Sequence, residues 1–430
     1  MSLAHRLGTF APHQTPRQAP ESSLTSAVHQ QLLATLGDQL YGDVLDSRTL
    51  EGAVFDAIST VLETQDGPVT AADRARIAQE VTDDILGHGP LEPLLRDPEI
   101  TEIMVNRHDL IYIERDGLLH RTDLRFIDED HLRRTIDRIV SAVGRRVDES
   151  SPMVDARLPD GSRVNAVIPP VAIDGCSLTI RKFAVEPYTA RDLISMGTIT
   201  PEAMDLISAC VRGRLSILIS GGTGSGKTTT LNVLSSFIPP GERIVTIEDA
   251  AELQMHQPHV VRLESRPPNV EGKGAVTIRD LVRNALRMRP DRIVVGEVRD
   301  SAAVDMLQAM NTGHDGSLTT VHANSPRDAL SRIETMVMMA DLDLPVRVIR
   351  EQIAGALHLL VHEARLRDGS RHITSISEVA GLDGETIVTQ ELFGFEYSAS
   401  APNGHLGQLV ATGFQPGFTD ELRDRGVVLP

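Results

Sequence analysis

Between residues 215 and 339, short apolar runs alternate with amphipathic stretches, a pattern that few folds accommodate. The runs at 215–220, 243–247, 292–296 and 317–321 are strand-length, while those at 227–237, 276–288, 301–311 and 326–339 carry helical spacing. Strands that are apolar throughout are buried on both faces. The pattern therefore predicts an α/β domain whose mainly parallel sheet is covered by helices on both sides. Ligands of such sheets lie beyond the carboxyl ends of the strands. The first strand, Leu215–Ser220, runs into Gly221–Thr228, Gly-Gly-Thr-Gly-Ser-Gly-Lys-Thr, which completes the GxxxxGK[ST] pattern. A strand before it and a helix after it mark this as a phosphate-binding loop. Backbone N–H groups of Gly222, Thr223, Gly224, Ser225 and Gly226 are expected to turn inward around phosphate. Lys227 would reach the β/γ oxygens, Thr228 suits a Mg²⁺ ligand, and Thr229 follows in the first helical turn, where the helix dipole favours an anion.

The 430 residues suggest two or three domains. Trp is absent and aromatics make up 3%, so the cores are expected to be packed from Leu, Ile, Val and Ala. A net charge of -18, spread along the chain, argues against a nonspecific nucleic-acid binder, and no nucleic-acid partner is expected. Cys176 and Cys210 are too few for a disulfide framework or a four-thiolate zinc site and read as buried small hydrophobes. No stretch approaches the roughly twenty apolar residues that span a bilayer, and the N-terminus lacks a signal-peptide core. The expected location is the cytoplasm, with any membrane association made through a protein partner.

Residues 1–27, with Pro12, Pro16 and Pro20, read as flexible, and 28–86 as a helical lead-in with Leu32, Leu33, Leu36, Val54, Ile58, Val61, Leu62, Ile77, Val81 and Ile85 at helical spacing. Residues 87–183 read as a small α+β domain. Its expected parts are strands at Ile100–Asn106, Leu110–Arg115 and Leu118–Leu124, a turn at Asp116-Gly117, a helix striped by Leu132, Ile136, Ile139, Val140 and Val143, a hairpin around Pro159-Asp160-Gly161, and a last strand Ser177–Arg181. A connector is expected at 184–201, the nucleotide domain at 202–395 with short hairpin strands from about 357 onward, and a C-terminal extension at 396–430.

Ile293–Glu297 is a second apolar strand ending in a carboxylate, which makes Glu297 the candidate general base. The metal-side aspartate usual in such a strand is replaced by Gly296. Glu248 and Asp249 end a third strand, with Glu252 one turn later, and suit the surroundings of a hydrated Mg²⁺. Asp249 also reads as a helix N-cap. His314 and His322 bracket a strand and are candidates to sense a γ-phosphate or support Glu297. Arg279, Arg283 and Arg287 form a basic helical stripe, with surface solvation the reading for Arg279. Arg163 and Arg181, outside the nucleotide domain, are candidates to bind a terminal phosphate bidentately.

Together, Gly221–Thr228, Thr246–Leu253, Arg287–Arg299 and Thr312–Asn324 resemble, in order and separation, the Walker A, Asp-box, Walker B and His-box motifs of the hexameric ATPases of type II and type IV secretion and type IV pili. Leu158–Asn165 and Leu178–Phe183 resemble that family's small domain, so the similarity runs from about residue 80 to the C-terminus. The ending, Val410–Gly413 and Gly426–Pro430, is similar to the tight-adherence (Tad/Flp) pilus branch. The resemblance implies a RecA-like P-loop domain behind a PAS-like α+β domain, with ATP and Mg²⁺ as cofactors. It also implies a homo-hexamer working against inner-membrane platform proteins, with hydrolysis moving one domain against the other. Asp300-Ser301-Ala302-Ala303 departs from the Gly-Gly-Glu-Ala more usual in that branch. Two alternatives stay open. A RecA-like DNA translocase or helicase would need a basic channel and stacking aromatics, and the chain has only nine Phe and four Tyr. A nucleotide-gated scaffold with little turnover would fit the missing aspartate.

Overall fold

The computed structural model describes residues 87–430 except 116, 184–186, 269–272, 341–342, 398–406 and 430, together with isolated positions between 52 and 84. The readings for 1–27 and for most of 28–86 lie outside the described residues. The chain divides into two compact units, residues 1–183 and 184–430.

In the first unit, alternating strands build a six-stranded sheet in the order β3-β2-β1-β6-β5-β4. The strands are β1 (Ile100–Arg107), β2 (Leu110–Arg115), β3 (Leu118–Arg121), β4 (Met153–Arg157), β5 (Arg163–Val167) and β6 (Ser177–Arg181), antiparallel throughout. Helices α1 (Glu92–Arg96) and α2 (Glu129–Ala142) accompany them. Asp128 caps α2 by accepting from the backbone N–H of His131 at 2.7 Å. The Leu132, Ile136, Ile139 and Val140 stripe of α2 joins Ile103, Val105, Val164, Leu178 and Ile180 in one core. Val143 leaves that stripe: it is the C-cap of α2, and its side chain is exposed.

The second unit carries a nine-stranded sheet in the order β15-β14-β13-β12-β7-β11-β10-β8-β9. Helices α3 (Ala190–Ser195) and α4 (Pro201–Arg212) precede β7 (Ile217–Gly221). There follow α5 (Lys227–Ser235), β8 (Ile244–Glu248), β9 (Val260–Glu264), α6 (Ile278–Ala285), β10 (Arg292–Val295), α7 (Ala302–Asn311), β11 (Leu318–His322), α8 (Pro326–Met338) and α9 (Val346–Ala356). The last elements are β12 (Leu359–Arg365), β13 (Arg371–Asp383), β14 (Thr386–Tyr397), β15 (Gly407–Ala411) and α10 (Thr419–Asp424). From β9 to β12 neighbouring strands are parallel, and from β12 to β15 antiparallel.

Alternate residues of each central strand feed opposite faces. Ile217, Ile219 and Val294 pack with α4 and α5, whereas Leu218, Ile293 and Val295 pack with α6 through α9. The parallel, doubly covered sheet is the one the sequence pattern predicts. Differences lie at its margins. The strands after residue 357 are long, 13 residues for β13 and 12 for β14. Leu193 and Ile199 of the expected connector, and Leu409, Phe418 and Leu422 of the expected extension, enter the same core as β7.

Candidate phosphate-binding site

Parallel pairing brings the ends of four strands to one edge. Gly221 ends β7 opposite His322 of β11, and Ile247 of β8 pairs with Val295 of β10. The Gly296 amide continues that pairing by donating to Ile247 O at 2.8 Å, and Thr320 Oγ1 donates to Gly296 O at 2.7 Å. The phosphate loop thus sits on the same edge as Glu248, Glu297 and His322.

Gly224 and Gly226 both take positive φ, +68° and +110°, so the loop needs residues without a Cβ at these turns. Gly226 sits at the N-cap of α5, whose first turn carries Lys227, Thr228 and Thr229, all half-buried. The Lys227 ammonium donates to Gly222 O at 2.7 Å and so lies over its own loop. Ser225 is buried, and its hydroxyl has no hydrogen-bond partner within the described chain.

Glu248 explains the glycine at 296. Its side chain is 2% exposed, and its Cγ lies 3.0 Å from where a Cβ of Gly296 would stand. A side chain at 296 would press on Glu248, which would have to give by a few tenths of an ångström to admit it. Oε1 accepts from the amides of Glu252 and Leu253, each at 2.9 Å, while Oε2 is buried without a hydrogen-bond partner among the described residues. Burial pushes the Glu248 carboxyl above its ordinary range, with the two amide bonds opposing. An orphaned buried carboxylate oxygen on the sheet edge that carries the phosphate loop, with two strands between β8 and β7, fits a cation-bound water. Among the described residues no three or more His, Cys, Asp or Glu are grouped to hold a metal directly. Mg²⁺, which keeps several of its waters, suits a site of Thr228, phosphate oxygens and outlying carboxylates.

Glu297 is half-buried, and its Oε2 accepts from Arg299 at 2.6 Å. Arg299 also lies 3.3 Å from Asp249, and its pKa is raised first by the bond to Glu297. Asp249 caps no helix: residues 251–256 form none, and its Oδ1 accepts from Ser265 Oγ at 3.0 Å. His314 does not join the site. It precedes the five-residue β11, which spans about 16 Å at roughly 3.3 Å per residue, and so lies at the opposite edge of the sheet from His322. Arg279 is no solvated surface charge, since Arg279 and Arg283 each donate to buried Asp305 at 2.7 Å.

In the first unit, Arg163 of β5 pairs in register with Arg181 of β6, and Arg157 of β4 with Arg163. Directly opposed residues share a sheet face, so three guanidiniums form one row. Arg157 was not picked out from sequence; the register across three strands reveals it.

The family described as Type II/IV secretion system protein matches residues 84–378. The chain belongs to this family. It is 42% identical over 307 residues to a putative conjugal transfer protein of Mycobacterium tuberculosis, covering 70% of this chain and 87% of that one. It is 34% identical over 296 residues to the conjugal transfer protein TrbB of Rhizobium radiobacter, covering 67% and 86%. The solved structure of the Yersinia pseudotuberculosis ATPase DotB matches the fold with a TM-score of 0.50 at 18% identity, over 70% of this chain and 79% of that one.

This member of the type II/IV secretion family has further residues at the loop that local sequence pattern does not mark. Glu363 of β12 lies opposite Gly221 of β7, is 2% exposed and accepts from Thr230 Oγ1 at 3.0 Å. Burial raises its pKa to about 8. Next to it, His362 Nδ1 lies 2.9 Å from Ser220 Oγ, and burial lowers the pKa of its ring. Arg371, at the start of β13, donates from Nε to Gly224 O at 2.9 Å. The free cysteines Cys176 and Cys210 are both buried.

Proposed function

We propose that this chain is an ATP-hydrolysing motor of a secretion or pilus-assembly system. The observation that carries the reading is the phosphate loop on one sheet edge with Glu248, its orphaned Oε2, and Glu297. ATP would be held by the backbone of Gly222–Gly226 with Lys227 on the β/γ oxygens. Mg²⁺ would be held by Thr228 and, through water, by Glu248 and Glu297, and it would neutralise charge on the transferring phosphoryl group. Glu297 is the proposed base or water-orienting group, released from Arg299 as nucleotide binds. His322 is proposed to sense the γ-phosphate. The arginine row of the first unit is suited to phosphate oxygens by its bidentate chemistry.

The finer parts of the proposal are a homo-hexamer, cytoplasmic and held at the inner membrane by platform proteins, with Tad/Flp pilus assembly as its process. They rest on the motif resemblance and on relatives described as conjugal transfer proteins. The test is the steady-state ATPase rate of wild type, Lys227→Ala and Glu297→Gln, with particle mass measured in the same samples. Lys227→Ala is expected to lose ATP binding. Glu297→Gln should still bind ATP and form six-subunit particles while turnover falls about 10²–10⁴-fold. Full turnover by Glu297→Gln would remove Glu297 as the base, and DNA-stimulated, salt-sensitive turnover would favour a translocase.

A further inference from the structure

We propose that the β12–β13 hairpin is a clamp that shapes the phosphate loop, with Glu363 and Arg371 as positioning residues for nucleotide binding. The proposal rests on the reading of Gly221–Thr228 as a nucleotide site. Two contacts from neighbouring strands carry it, one to the helix that follows the loop and one to the loop backbone. Glu363, fully buried, accepts from Thr230 in α5 at 3.0 Å. A Cβ on Gly226 would collide with the Glu363 carboxyl group, so this side chain forms the floor beneath the left-handed turn that opens α5. Arg371, on the adjacent strand, donates to the Gly224 carbonyl at 2.9 Å, which holds that peptide with its oxygen turned toward the guanidinium. Glycine loops have many accessible conformations. Fixing Gly224 and Gly226 at once presets the N–H groups around an anion, and preorganisation of this kind raises affinity without adding a ligand contact. Glu363 and Arg371 are themselves close enough for the guanidinium to oppose the rise in the carboxyl pKa. The clamp is therefore one connected unit.

A loop shaped for phosphate in the ground state and the transition state alike affects KM more than kcat. A purely structural role would instead lower the folded, active fraction at constant KM. The experiment measures binding of a fluorescent ATP analogue, ATPase KM and kcat, and thermal unfolding for wild type, Glu363→Ala, Glu363→Gln, Thr230→Val and Arg371→Ala. Glu363→Ala, Thr230→Val and Arg371→Ala are each expected to raise Kd and KM about tenfold, with kcat within about threefold of wild type. Glu363→Gln keeps an uncharged group of the same shape and should restore Kd to within about threefold. If Glu363→Ala fails to fold, Thr230→Val and Arg371→Ala decide the matter. Wild-type Kd and KM in folded Thr230→Val and Arg371→Ala would overturn the clamp. Failure of the wild-type protein itself to bind ATP would instead overturn the nucleotide-site reading.

Discussion

Two buried charges at opposite edges of the same sheet behave in opposite ways. Arg292 begins β10 at the amino edge and is 0% exposed, yet each guanidinium nitrogen has a partner. Nε donates to Glu242 at 2.5 Å, one terminal nitrogen to Gly316 O at 3.1 Å and the other to Val211 O at 2.8 Å. Glu248 ends β8 at the carboxyl edge with one oxygen satisfied and the other orphaned. A buried charge whose partners are complete belongs to the scaffold, because nothing remains for a ligand to satisfy. One left incomplete costs stability unless something outside the protein completes it, and it marks where a ligand is expected.

The largest effect that tests this contrast is at Arg292. Arg292→Met removes three donors from a dry site and leaves the Glu242 carboxylate with only Arg214, at 3.2 Å. The expected loss is about 3–5 kcal/mol in urea unfolding, with the KM for ATP unchanged in the protein that remains folded. A loss under 1 kcal/mol would mean that the amino edge relaxes, and completeness of partners would no longer separate scaffold from site.

Glu248→Gln should do the reverse. Its folded pKa is raised by burial above the unfolded value, so the proton-bound form is the one folding favours. The stability this group contributes is complete below the unfolded carboxyl pKa and is lost as pH rises through the folded one. Glutamine does not titrate and keeps an oxygen for the Glu252 and Leu253 amides. The variant is therefore expected to be more stable than wild type at pH 8, with the difference shrinking toward pH 4. Its ATPase rate should fall and need more Mg²⁺ to saturate. Lower stability at pH 8 together with normal Mg²⁺ dependence would show that Glu248 is another saturated scaffold charge.

The contrast also explains which parts of the molecule were legible in the sequence. Local period and turn chemistry suffice for Leu215–Thr228, for the strands ending at Glu248 and near Glu297, and for the α2 stripe, because each is specified within a few residues. Glu363 and Arg371 were missed because parallel pairing of β12 with β7, and antiparallel pairing of β13 with β12, bring them to the loop across more than a hundred residues, and neither lies in a local motif. The strand β9 was missed because it is half-exposed at an edge, so it lacks the continuous apolar run of its neighbours. His314 was placed at the site because it is near His322 in sequence. A strand between two residues puts them at its opposite ends, so only one of the two can share the edge of the loop. Gly296 read as a deficiency for a related reason: Glu248, whose side chain lies against it, belongs to a different strand.

The smallest effect concerns backbone strain beside Glu297. Asp300 has φ +49°, a left-handed conformation that disfavours a side chain. The amino edge has its own such residue, Arg214 at φ +60°, but the Arg214 side chain is used, since it pairs with Glu242. Asp300 offers only an electrostatic attraction to Arg299, the residue that holds Glu297. Replacing Asp300 by Gly relieves about 1 kcal/mol of left-handed strain, offset in part by the added freedom of the unfolded chain. The net expectation is a gain of about 0.5 kcal/mol, or about 1–2 °C in Tm. Arg214→Gly gains the same relief but loses the Glu242 pair, and should be less stable than wild type. A fall in Tm for Asp300→Gly as well would show that the Asp300 carboxylate stabilises the Arg299–Glu297 pair by more than its backbone strain costs, making Asp300 part of the restraint on the proposed base.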